Sequence, residues 1–87
     1  MLKKEELELG SIFRFDGDWD GLFMLTEKTV CISKSFERDG WSCIFDCLTE
    51  DYKMKVRIKQ DLSCWLYEEH PQGPMTPTYP TDITFVQ

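Results

Sequence analysis

Four kinds of side chain in this sequence stand where they can do chemistry. Asp16, Asp18 and Asp20 alternate through a short polar stretch, Gly21 and Leu22 follow, and Glu27 comes five residues after Leu22. Their carboxylates are oxygen donors of the kind a hard cation takes, and they surround Trp19, an aromatic with an acidic setting. Four cysteines stand at 31, 43, 47 and 64, and one histidine, His70, precedes a proline. Lys53, Lys55, Arg57 and Lys59 recur at every second position, which gathers four cations on one face if that stretch is extended.

From Asp16 to Glu27 the spacing is D-x-D-x-D-G-x5-E, which resembles the calcium loop of an EF-hand. The resemblance implies calcium held by side-chain oxygens of Asp16, Asp18 and Asp20, the carbonyl of Leu22 and both oxygens of Glu27. Ile12 and Phe15 fall where an incoming helix of that motif carries apolar residues. Against it, Gly10-Ser11 breaks such a helix, and Thr29-Val30-Cys31-Ile32 is poor material for the outgoing one. The competing reading is an acidic hairpin turn, where aspartate and glycine serve the backbone. In that setting Asp16, Asp18, Trp19 and Asp20 form an exposed acidic anchor for a cationic partner.

The thiols read as structural. Cys43 and Cys47 are four apart in an apolar strand whose alternation turns both inward beside Phe45, whereas zinc draws close ligand pairs from loops. Cys31 and Cys64 remain the candidates for a further metal site or a disulfide, and reduced thiols are expected. His70 has no nucleophile placed beside it, and the five glycines are scattered singly with no phosphate-cradling loop. No catalytic grouping emerges, so a non-enzymatic protein is expected.

Positioning these groups falls to strands. Period-two patterning recurs between turn signals, which predicts strands at about 10–15, 21–26, 29–34, 41–48, 53–59 and 64–67, with turns at 16–20, 37–40, 49–52 and 60–63. The hairpin over 41–60 is the most determinate. With Glu50-Asp51 at its centre, Leu48 pairs with Lys53, Asp46 with Lys55, Ile44 with Arg57 and Ser42 with Lys59. Trp41, Cys43, Phe45 and Cys47 then share the other face with Met54, Val56 and Ile58. No aromatic is expected to alternate on the cations' face, where it could stack bases.

Five to six short strands predict an all-β, small, antiparallel, bent barrel. Leu9-Gly10-Ser11-Ile12, the tryptophan-led hairpin and Asp61-Leu62-Ser63 before a last strand resemble the SH3-like barrels and their relatives, an architecture that implies no particular activity. The barrel domain is expected to span 1–70. Residues 71–87, with four prolines in their first ten positions, form an extended Pro-rich tail in which 83–86 can return as a short edge strand.

Sixteen acidic against ten basic side chains give a net charge of −6, a field that repels nucleic acid and anionic membranes and favours a basic protein surface. The longest apolar run, Leu22 to Leu25, falls far short of a membrane span, and the first residues lack the apolar core of a signal peptide, so a cytoplasmic protein is expected. The sequence therefore favours a small acidic module, of phage or mobile-element type, that docks on or inhibits a larger nucleic-acid-handling host protein. Calcium binding by the loop at 16–27 and nucleic-acid binding by the strand at 53–59 are the alternatives. The oligomeric state is left open.

Overall fold

A computed structural model describes residues 2–17, 21–32, 38–68 and 76–87. Among these the chain is all-β: β1 (Ile12–Phe15), β2 (Phe23–Ile32), β3 (Arg38–Cys47), β4 (Lys53–Ile58), β5 (Cys64–Glu68), β6 (Thr76–Thr81) and β7 (Ile83–Phe85), preceded by a single 3-10 turn at Lys4–Glu6. All the pairings are antiparallel, and the sheet order is β6-β5-β4-β3-β2-β1-β7. The two ends of that order, β6 and β7, are separated in the chain by Asp82 alone. One C-terminal segment thus borders both edges of the sheet and bends it into a nearly closed barrel.

Alternation builds the core. Phe13, Phe15, Phe23, Leu25, Cys43, Phe45, Val56 and Ile58 point inward and are buried, while Arg14, Lys53 and Lys55 point out. The centre is a stack of phenylalanines: Phe45 meets Phe13 at 5.4 Å and Phe15 at 5.2 Å between ring centroids, both edge to face, and Phe15 meets Phe23 at 4.7 Å. Edge-to-face contact aims the positive rim of one ring at the negative face of the next. Leu7, almost wholly buried, closes the core from the N-terminal side.

The hairpin over 41–60 keeps the expected faces in a different register. Trp41 lies opposite Ile58, Cys43 opposite Val56, Phe45 opposite Met54 and Asp46 opposite Lys53. The chain turns over Leu48–Asp51, with the Cys47 N–H donating to the Tyr52 carbonyl at 3.0 Å. This register is two residues from the expected one. An even shift leaves every side chain on its own face, so patterning alone does not distinguish the two.

Three further expectations are revised. The stretches 21–26 and 29–34 are not two strands, because Glu27-Lys28 is no turn former; Phe23–Ile32 runs as one strand with a register shift between Leu25 and Glu27. The extra residue there, Thr26, donates its hydroxyl to the Ile44 carbonyl at 3.2 Å. Residues 38–40, expected in a turn, belong to β3; Gly40 adopts φ +116° where a Cβ would lie 2.8 Å from the Lys59 Cα and against the Ile58 carbonyl. The described part of 71–87 is sheet, which brings the strands to seven. Hydrogen bonding alternates along β5, and Thr81 and Tyr79 face it through Cys64 and Leu66. Pro80, between them, directs its missing N–H to the open side, where it costs the ladder nothing.

Candidate functional site

The β1–β2 connection does not assemble the expected cation donors. Asp16 follows β1, exposed, its N–H donating to the Asp82 carbonyl at 2.9 Å. Gly17 and Gly21, at φ +102° and +104°, turn the chain. The Leu22 carbonyl accepts from the Leu48 N–H at 2.9 Å and is therefore part of the sheet ladder. Glu27 lies inside β2, opposite Ile44, about 15 Å further along the strand at ~3.3 Å per residue. The elements flanking the loop are strands where the EF-hand resemblance implies helices. Asp18, Trp19 and Asp20 lie outside the described residues, as does His70.

Asp16 is instead brought beside two carboxylates from distant parts of the chain. A cavity of about 490 Å3 opens at this end of the barrel, lined by Asp16, by Asp61 of the β4–β5 turn and by Asp82 of the β6–β7 junction, with Leu2, Leu62 and Ile83 supplying apolar wall. Among the described residues, no lysine or arginine lines it. Asp61 accepts from the Ser63 hydroxyl at 2.6 Å and the Ser63 N–H at 2.9 Å. The hydroxyl, above all, holds its carboxyl below the usual carboxylate range. The adjoining Leu62 has φ +68°, a left-handed position in the three-residue loop that closes with Lys59 N–H donating to Ser63 C=O at 2.9 Å.

The mouth of this cavity is thus a negative concavity over an apolar floor. Such a shape focuses the field of its charges and attracts a cationic group. Its three carboxylates line a wide opening; no group of three or more His, Cys, Asp or Glu among the described residues is placed to hold one metal ion. Asp61 and Asp82 carry no signal in the sequence, where each is an isolated turn residue. Pairing of β7 with β1, Phe15 opposite Ile83, brings Asp82 to Asp16, and pairing of β6 with β5, Thr81 opposite Cys64, brings Asp61 to the same end.

The cations at 53–59 are largely engaged. Lys53 lies 3.5 Å from Asp46, Arg57 donates to Asp39 at 2.6 Å, and the Lys59 ammonium sits 5.1 Å from the centre of the Trp65 ring. Lys55 lines a shallow hollow of about 310 Å3 with Ser42, Ile44 and Tyr67. The expectation that this face carries no aromatic is corrected, because β5 places Trp65 opposite Arg57.

The cysteines are free thiols. Burial pushes both the Cys43 and the Cys64 thiol up to about 12, so neither is a nucleophile near neutral pH. Cys47 is also buried, and a contact of 3.4 Å with the Thr49 hydroxyl lowers its pKa. Among the described residues no helix is long and apolar enough to cross a membrane. Compared with protein-family models, with curated proteins and with solved structures, the chain matches none.

Proposed function

We propose that this chain is a non-enzymatic binding module that docks its acidic barrel end on a cationic surface of a larger protein, as a phage-type inhibitor of a nucleic-acid-handling enzyme would. The observation that carries this reading is the cavity lined by Asp16, Asp61 and Asp82, with no lysine or arginine among the described residues of its wall. An arginine or lysine entering it keeps its aliphatic stem on Leu2, Leu62 and Ile83 and its charge among the carboxylates. The overall charge of −6 steers such a partner from a distance and repels phosphate. Calcium binding gains less support, since Glu27 stands away from the loop. Nucleic-acid binding gains less as well, since Asp39 and Asp46 offset Arg57 and Lys53.

The test is binding of an arginine-rich peptide, followed by fluorescence anisotropy, to the native chain and to Asp16→Asn/Asp61→Asn/Asp82→Asn. Affinity is expected to fall about tenfold or more in the triple variant, and to weaken as salt rises from about 50 to 200 mM. Equal binding by the two proteins sinks the proposal.

A further inference from the structure

β2 outruns its neighbour. β1 pairs with Phe23 and Met24, and backbone bonds from Gly10 and to Ser11 extend the contact to Leu25 and no further. Beyond that point Glu27, Lys28, Thr29 and Val30 are all exposed, although successive residues of a strand face opposite ways. Among the described residues no strand lies against this stretch on the side away from β3, where the Lys28 ammonium donates to the Leu7 carbonyl at 2.6 Å, and Val30 keeps half of its surface exposed, at 50%.

Hydrogen-bond phase identifies which backbone groups are open. Cys47 bonds to Tyr52 and Leu48 to Leu22, so odd residues of β3 serve β4 and even residues serve β2. With Glu27 opposite Ile44 and Thr29 opposite Ser42, those two residues bond inward to β3. Lys28 and Val30 therefore direct their N–H and C=O groups away from the sheet. The other two sheet ends are blunted: β7 has three residues and β6 presents Pro80 to its open side.

We propose that the open edge of β2 binds a second copy of this chain, antiparallel about a two-fold axis at Val30, so that one sheet runs through a dimer. Val30 then exchanges both its backbone bonds with its counterpart, and Lys28 pairs with Ile32 of the second copy. Thr29 meets Cys31, so no two like charges stand opposed in this segment. One unblunted edge per chain makes the assembly close at two. A single strand pair buries less than the roughly 1,200 Å2 of a standard interface, so the dimer is weak and forms at high micromolar concentration. Because each copy carries −6, salt strengthens this contact, opposite to its effect on docking by the acidic mouth.

Sedimentation of the full chain from about 10 μM to 1 mM, at about 50 and 300 mM salt, is the test. The weight-average mass is expected to rise towards twice the monomer, more readily at high salt. Val30→Pro removes an N–H that the intrachain ladder does not use, and should weaken dimerisation at least tenfold with an unchanged urea midpoint; Val30→Lys should act alike without touching the backbone. Asp61→Asn should leave the dimer intact, which separates this proposal from the docking one. A monomer throughout, a mass that grows past two, or dimerisation by both Val30 variants as tight as that of the native chain overturns it.

Discussion

At the scale of single residues, the thiols couple stability to alkaline pH. Cys43 and Cys64 titrate near 12 in the folded chain against an ordinary 9.0, through burial in both cases. Above pH 9 the unfolded chain releases these two protons and the folded chain retains them. Stability is then full below about pH 9 and is lost as pH climbs towards 12, by up to about 1.4 kcal/mol per pH unit for each thiol. Urea unfolding at pH 8.5, 9.5 and 10.5 should show a steeper decline in the native chain than in Cys43→Ala. Parallel declines would mean that the Cys43 thiol ionises freely in the folded state. Leu62 illustrates a different balance: its left-handed backbone costs roughly 1–2 kcal/mol, and packing against the core cluster returns a similar amount.

Among the elements, β3 is where a single atom matters most. Gly40 brings β3 against the Ile58–Lys59 backbone in a conformation that side chains avoid, at φ +116°. Gly40→Ala is expected to destabilise the fold by roughly 2–4 kcal/mol, the sum of backbone strain and an unrelieved clash with main-chain atoms. Urea denaturation measures this, and a loss under about 1 kcal/mol would show that β3 and β4 can part without consequence. Faces were legible in this hairpin because Trp41, Cys43, Phe45 and Cys47 alternate with polar or half-buried neighbours. Its register was not, since Thr49-Glu50-Asp51 suits more than one turn and an even slip buries the same residues. The break supposed between 26 and 29 has a similar origin: one residue, Thr26, is absorbed by a bulge that interrupts alternation and leaves the strand continuous. The candidate site was legible only at Asp16. Asp61 and Asp82 join it through long-range closure, which no local pattern records.

On the scale of the whole molecule, closure depends on the segment whose prolines suggested a tail. β6 lies along β5 and β7 along β1, with Phe85 meeting Phe13 at 5.7 Å and Ile83 only 4% exposed. Losing Ile83 alone removes about 2–4 kcal/mol of buried packing. Losing both strands also uncovers the edges of β1 and β5, in a domain whose total stability is about 5 kcal/mol by the usual measure of its size. The chain ending at residue 75 is therefore expected to show no cooperative urea transition at 25 °C, while Ile83→Ala in the full chain keeps the transition at a lower midpoint. A truncated chain that unfolds at the native midpoint would mean that β1 to β5 hold the barrel unaided, and that the carboxylate of Asp82 sits on an appendage. The acidic mouth would then lose one wall without loss of fold. Under closure, the fold and the mouth fail together, which ties the binding surface to the same contacts that complete the barrel.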